Sequence, residues 1–437
     1  TRRSSDLFRC INCEDLKPLL LMPGLYGSQL YGTTNSFSKH WYCPKNLEDD
    51  VVWVDGKYAV PPMFNCMFEM LEAYYDEKKD IITSQPGLDI HSHDFGGIDG
   101  ISKIVEILGF KVLESFDHMA KYMKKRGYVV RKNLFGIPYD WRLGPAGLKT
   151  TSFYADLKHL IEDVYTINNN RKITFLGYSL GGMILSRFLG VEVDDEWRKQ
   201  YIEKAIFLAP ALGGAGDTLE VSWKLKFPIL EFVSSKSVRR TIQNMPCVHV
   251  LYPNHVVFKD TVVIKTPTKD YYPKDVPEFL ISNNKIQGDT IKMLEKSVEI
   301  SKQAPADPKV PIMLLYNSGH ETLIGLNFEK GLDEDPTEIY TKGDGTVPYE
   351  GPVWCCNNWK KDKAILCYDM KSDSNSFTHS GLGNNAYVNE LIFNYTNFDN
   401  WHLKKGARFI EAPLVIADEL QYTVLDEIRP ETIREVK

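Results

Sequence analysis

Short apolar runs that end in glycine or proline recur along the chain, and they predict buried strands. Residues 18–24 (PLLLMPG) form the first and 172–176 (KITFL) the clearest; 205–209 (AIFLA), 311–316 (PIMLLY) and 364–368 (AILCY) follow. A weaker run at 128–131 leads into Gly136-Ile137-Pro138-Tyr139-Asp140-Trp141-Arg142. Between these runs the apolar positions follow a helical rhythm. It covers 116–126, with Asp117 as a candidate cap, and 153–165, with Leu157, Leu160, Ile161 and Val164 on one face. It returns over 180–189 and 385–395. Strands alternating with helices imply an α/β chain with a mostly parallel sheet covered on both faces. Two stretches break the rhythm. Residues 33–100 are rich in Met, Phe, Tyr, Trp and Pro, and residues 213–309 carry scattered Pro and Lys. Both read as insertions on the core, the second as a cap or lid.

The length of 437 residues suits one large domain with such insertions. A formal net charge of −6 argues against a nucleic-acid partner. No apolar run is long enough for a transmembrane helix. Thr1-Arg2-Arg3-Ser4-Ser5 does not open a signal peptide, which fits a mature or trimmed form. Of the eight cysteines, Cys10 and Cys13 have redox or zinc spacing, but no second such pair completes a four-ligand site. Adjacent Cys355 and Cys356 cannot easily bridge to each other. The even cysteine count and the sequon Asn394-Tyr395-Thr396 favour an oxidising, secretory route.

The chemistry centres on Gly177-Tyr178-Ser179-Leu180-Gly181. Serine is a weak nucleophile unless a base takes its proton, and a G-x-S-x-G corner between strand and helix exposes the hydroxyl to one. Chance alone would place this pattern in about one chain in seven of this length. Its position after KITFL and before a helical pattern raises it well above that level. In such a fold the chain order is Ser, acid, His. His379 lies just after the AILCY run and fits the base best; His249, His255, His320 and His402 read as ordinary imidazoles. Asp344, in the tight turn Gly343-Asp344-Gly345-Thr346-Val347-Pro348, is the candidate acid, because such a turn can aim backbone N–H groups at a carboxylate. The plain reading is a common D-G turn. The acidic run Asp333-Glu334-Asp335 looks merely solvated. Oxyanion donors are expected from the backbone of Leu180 and from the loop Pro23-Gly24-Leu25-Tyr26-Gly27, with Leu25 as the donor there. His91-Ser92-His93-Asp94 has metal-like spacing but reads as a loop, and neither a metal nor a cofactor is expected.

Several segments together resemble the lecithin:cholesterol acyltransferases and their lysosomal phospholipase/transacylase relatives. They are Pro23 to Leu30 (PGLYGSQL), Pro138 to Arg142 (PYDWR), the Ser179 turn, Ala209 to Gly214 (APALGG) and Gly343 to Val347 (GDGTV). The resemblance implies an α/β-hydrolase core over 14–40, 95–211 and 312–437. It also implies a membrane-binding subdomain over 41–75 and a cap or lid over 212–311. It implies an enzyme that takes a fatty acyl chain from a glycerophospholipid onto Ser179 and passes it to water, a sterol or another alcohol. Phospholipid membranes or lipid particles would be its partners. By the same resemblance Cys43 pairs with Cys66, and Trp41, Met63, Phe64, Met67 and Phe68 face lipid; apolar packing under the cap is the plain alternative for the last four. PYDWR reads as an ion-paired turn beside the site or a head-group contact. The chain departs from the family in having Tyr178 where many members have His. Ala211-Leu212 stands where animal enzymes have a Trp, and Leu314 where one cysteine of a second disulfide is found. That second bridge would have to use Cys10, Cys13, Cys247 or Cys367 with Cys355 or Cys356. The rival readings are a neutral-lipid lipase on this fold, a non-catalytic lipid-binding protein, and a metallo-hydrolase using His91, His93 and Asp94.

Overall fold

Four consecutive apolar side chains, all buried, suit a strand covered on both faces, and Leu19–Met22 (β1) is such a strand. The computed structural model describes residues 16–38, 40–58, 62–102, 105–107, 110–113, 116–226, 236–398 and 409–411. Within them β1 joins Leu134–Gly136 (β2), Ile173–Tyr178 (β3), Ile202–Leu208 (β4), Ile312–Tyr316 (β5), Ile365–Asp369 (β6) and Phe409–Glu411 (β7). The sheet order is β7-β6-β5-β4-β3-β1-β2, and every pairing is parallel. Leu20 and Met22 enter one hydrophobic cluster and Leu19 and Leu21 the other. The first cluster holds Leu157, Ile161 and Val164 of the Phe153–Ile167 helix. The second holds Met119 and Met123 of Asp117–Lys125 and Val388 and Ile392 of Ala386–Asn397. This is the covered, mostly parallel α/β-hydrolase sheet that the sequence implies. The strand order changes direction beside β1, so the carboxyl ends of β1 and β3 flank a crevice, where ligands bind in such sheets.

The weak run at 128–131 is not the strand. Arg131 is left-handed (φ 61°), and Asn133 Oδ1 takes the Val129 N–H at 2.7 Å, so the chain turns there and extends only from Leu134. Asp117 occupies the first helical position rather than the cap, which falls on Phe116. At the last long helix Asn385 is the cap, accepting from Tyr387 and Val388 N–H. The sequon lies inside that helix. Asn394, half-buried, donates through Nδ2 to Glu390, and Thr396 is buried and donates to Ile392 O.

Four further helices bear on the site: α1 (Phe64–Leu71), α2 (Leu180–Arg187), α3 (Asp217–Lys224) and α4 (Lys236–Gln243). Residues 33–100 carry α1 and an antiparallel sheet in which Leu30–Asn35 lies between Asn46–Trp53 and Leu88–Ser92. Residues 213–309 carry α3, α4 and the short strands Ile264–Lys265 and Asp270–Tyr271. These two strands draw in His320–Asn327 and Thr337–Gly343 to form a four-stranded sheet. Asp344 stands where the chain returns from that excursion.

Cys43 is bonded to Cys66 and Cys356 to Cys367, while Cys247 and Cys355 are free and buried. Cys10, Cys13 and His402 lie outside the described residues. Leu314 on β5 is the direct neighbour of Cys367 on β6. The second bridge therefore reaches the helix Glu350–Asn358 from the adjacent strand. Among the described residues no helix is long and apolar enough to cross a membrane.

Glu72, buried at the end of α1, pairs with Arg240 of α4 at 2.9 Å and accepts from Gln85. Thr241 of α4 also donates to Phe68 O of α1. Burial outweighs the Arg240 charge and the Gln85 bond and lifts the carboxyl from 4.5 to about 7. The folded state thus holds a proton that the unfolded chain releases. This contribution is fully present below pH 4.5 and is lost as pH rises through 7, a swing of about 3 kcal/mol. Glu72→Gln should flatten the fall in Tm between pH 5 and 8 by a few degrees in thermal melts; equal slopes in the two proteins would count against this account.

Candidate active site

Ser179 turns the chain from β3 into α2 with φ 54° and ψ −123°, a conformation that residues with side chains rarely adopt. Its N–H donates to Leu208 O of β4 at 3.0 Å, and its carbonyl accepts from Gly182 and Ala211 N–H at 3.0 and 3.1 Å. Two glycines make the corner feasible by close approach. A Cβ at Gly181 would lie 2.3 Å from Pro23 O, and one at Gly24 would lie 2.7 Å from Ser179 Cβ. The loop after β1 thus lies directly against the serine.

His379 opens the short helix His379–Asn384. Its Nε2 is 2.9 Å from Ser179 Oγ, and its Nδ1 is 2.8 Å from Asp344 Oδ2. A backbone bond, His379 N–H to Asp344 O at 2.8 Å, fixes the same two residues a second time. Asp344 is buried, and its Oδ1 accepts from Thr346 and Val347 N–H at 3.0 and 2.7 Å. The D-G turn therefore does aim its backbone at the carboxylate. Tyr178 holds the imidazole from another side. Its ring stacks on His379 at 5.1 Å and 26°, and its hydroxyl donates to His379 O at 2.9 Å. Burial works against the His379 cation, but the Asp344 charge and hydrogen bond, then Asp217, more than offset it and leave the imidazole above its ordinary value.

Leu180 is the first residue of α2, so its N–H has no acceptor within the helix. Leu25, half-buried, sits in a tight turn closed by Gly27 N–H to Gly24 O at 3.1 Å, with Tyr26 left-handed at φ 64°. This loop is braced from below by aromatic donors. Tyr139 hydroxyl bonds Pro23 O at 2.9 Å, Trp141 Nε1 bonds Ser28 O at 3.1 Å and Trp53 Nε1 bonds Tyr26 O at 3.0 Å. Between Tyr139 and Trp141, Asp140 holds Arg142 through two bonds of 2.8 and 2.6 Å. Arg142 is wholly buried and spends its other donors on Met70 O and Ser84 Oγ, so PYDWR is a brace and its arginine is out of reach of a head group.

The profile of the family described as "Lecithin:cholesterol acyltransferase" matches residues 49–302, more than half of the chain. The chain belongs to that family. Lecithin-cholesterol acyltransferase-like 1 of Arabidopsis thaliana is 26% identical over 353 residues, 76% of this chain and 81% of that protein. Lysosomal phospholipase A and acyltransferase of Canis lupus familiaris is 23% identical over 341 residues, 77% of this chain and 82% of that protein. Among solved structures, "The crystal structure of Tle4-Tli4 complex" is similar in fold, with a TM-score of 0.52 and 12% identity, covering 88% of this chain and 99% of that one.

For this acyltransferase-family chain, the structure brings Ser179, Asp344 and His379 together, with Gly24, the residue before Leu25, against the serine. It does not bring the five lipid-contact residues to one surface. Trp41 is 89% exposed, and Met63 and Phe64 are half-buried, but Met67 and Phe68 are fully buried. They lie one turn further along the same face of α1 and pack in the core, with Met63 and Phe64 against its edge. Four of the other described histidines are placed or engaged elsewhere. His249 is buried, His320 bonds Ser374 O, His91 pairs with Asp49, and His93 stacks on Tyr31. Sequence reasoning missed two groups beside the triad. The clamp by Tyr178 was visible only as a departure from the family. Asp217 carried no motif; its sole signal was a carboxylate in an otherwise small, apolar segment following APALGG.

Asp344→Asn keeps the shape but reverses the hydrogen-bond demand on His379 Nδ1 and so disfavours the tautomer that can accept from Ser179. Turnover of a soluble ester should fall by about ten-thousand-fold with an unchanged melting curve. A loss of less than tenfold would remove Asp344 from the relay.

Proposed function

We propose that this chain is a phospholipid acyl hydrolase and acyltransferase that works through a fatty acyl-Ser179 intermediate. The observation that carries the reading is the continuous relay Ser179–His379–Asp344 at 2.9 and 2.8 Å, set on a strand–helix corner. Family membership narrows the substrate to a glycerophospholipid ester, since the family's name couples lecithin to an acyl acceptor. His379 removes the Ser179 proton as Oγ attacks the ester carbonyl, and buried Asp344 stabilises the imidazolium. The Leu25 and Leu180 N–H groups receive the oxyanion; such a donor contributes about 3–4 kcal/mol in comparable sites. His379 then protonates the leaving lysophospholipid. Water or an alcohol, a sterol among them, next takes the acyl group. These side chains and amides complete the acid–base chemistry without a metal or cofactor.

The segment 41–75 is the surface that meets phospholipid membranes or lipid particles. Trp41 projects into solvent beside the Cys43–Cys66 bridge, and Met63 and Phe64 lie on the same bridged loop. An exposed Trp at such a place suits the membrane interface, where one end of the ring is apolar and the other polar. Residues 212–311 act as the cap, carrying α3, whose Asp217 acts on His379, and α4, docked on α1. The two disulfides support a secretory route, ending outside the cell or in a lysosome-like compartment.

Ser179→Ala should abolish both release of lysophospholipid from vesicles and labelling by a fluorophosphonate. Labelling retained at another serine would sink the assignment, and faster cleavage of triacylglycerol emulsions than of phospholipid vesicles would favour a neutral-lipid lipase. For the surface, Trp41→Ser should lower activity on vesicles at least fivefold and leave a soluble short-chain ester untouched, since burying one Trp is worth about 1.5–3 kcal/mol. Equal losses on both substrates would argue for a packing role instead.

A further inference from the structure

Asp217 begins α3, and the chain leading to it has little latitude. Ala211 N–H donates to Ser179 O, Ala215 N–H donates to Leu251 O at 2.7 Å, and a Cβ on Gly216 would lie 2.1 Å from Leu323 O. Its Oδ1 is buried and has no hydrogen-bond partner among the described residues. Its charge is felt by His379 and by Tyr26. Those two residues stand on either side of Ser179, one in the relay and one in the loop that carries Leu25. A buried acceptor left unpaired costs about 1–3 kcal/mol, so Oδ1 is poised for a donor that arrives with the reaction.

The donor follows from the stereochemistry of acyl transfer, and the inference rests on the acyl-Ser179 reading above. The acceptor must set its oxygen on the acyl carbon while its O–H points at His379 Nε2. A monohydric alcohol then has no O–H left, whereas water has one more. We propose that Asp217 Oδ1 accepts this second O–H and so selects water over monohydric alcohols and sterols as acyl acceptor. The water oxygen bonds to the acyl carbon as its first proton passes to His379 Nε2. The tetrahedral intermediate collapses, the bond to Ser179 Oγ breaks, and His379 returns the proton to Oγ as the fatty acid leaves. Asp217 gains and loses no proton.

The selection also depends on pH. Burial raises the Asp217 carboxyl to about 6. His379 and the Thr218 N–H favour its anion, while Glu220 on the same helix and Asp344 from the turn beside His379 oppose it. Below pH 6 the carboxyl carries a proton, its capacity to accept falls, and water loses its advantage.

The test is the ratio of free fatty acid to alkyl ester formed from phosphatidylcholine vesicles at a fixed concentration of a long-chain primary alcohol. This ratio is set after acyl-Ser179 forms, so it reads acceptor choice whatever the total turnover. Asp217→Leu should shift it about tenfold toward the ester, and Asp217→Asn, a neutral stand-in for the protonated carboxyl, should shift it part of the way and remove its pH dependence. In the wild type the ratio should move toward the ester as pH falls through 6, and in Asp217→Leu it should be flat. An unchanged ratio in Asp217→Leu, or a wild-type ratio independent of pH, overturns the proposal; the second result needs no variant to fold. Absence of Ser179 labelling and of lysophospholipid release in the wild type would overturn the acyl-serine reading instead.

Discussion

The left-handed turn at Ser179 is the constraint around which the rest of the structure is arranged. A residue with a side chain held in that region costs of order 1–3 kcal/mol, and the turn persists only because its surroundings over-determine it. The neighbouring strand takes the Ser179 N–H, and the segment leaving β4 donates to its carbonyl. Gly24 and Gly181 let the β1 loop close against it. The same contacts bring in the rest of the site. The segment that bonds Ser179 O runs on to Asp217, and the loop that touches Ser179 Cβ carries Leu25. The two sides of the crevice are therefore positioned by the contacts that hold the nucleophile in place.

A second, buried device links this corner to the region that would meet lipid. The Asp140–Arg142 pair is dry, and a buried ion pair rarely adds much stability for its own sake. Here it aligns Tyr139 and Trp141 under the β1 loop and spends the remaining arginine donors on Met70 O, at the end of α1, and on Ser84. The Tyr139–Arg142 segment thus ties the β1 loop to the end of α1, the helix that carries Cys66. Glu72 and Arg240 extend the connection from α1 to α4, with a carboxyl that titrates near neutrality.

Much of this was legible in the sequence because it depends on local pattern. The covered strands announce themselves as unbroken apolar runs, and the nucleophile as a glycine-flanked serine at the end of one. Asp344 was readable because a D-G turn both bends the chain and supplies N–H groups. What could not be read depends on distant contacts. Arg131 bends out of a strand-like run because Asn133 folds back on Val129. Met67 and Phe68 share their character with Met63 and Phe64, and only distant packing, such as that of α4 on α1, makes the first pair fully buried and leaves the second half-buried. Residues 320–343 leave the main sheet because strands near 264–271 offer them an edge.

The departures from the family pattern obey the same logic. Leu314 lacks the cysteine that the resemblance leads one to expect, yet its sheet neighbour Cys367 supplies one, so the helix bearing Cys356 is still stapled to the sheet one strand away. Tyr178 replaces a histidine and is used as a clamp on His379, stacking on its ring and bonding its carbonyl. Each substitution preserves a position in space while changing the group that holds it. Asp217 is of another kind: its Oδ1 is buried without a hydrogen-bond partner among the described residues, a cost to stability that the proposed contact with the entering acyl acceptor would offset.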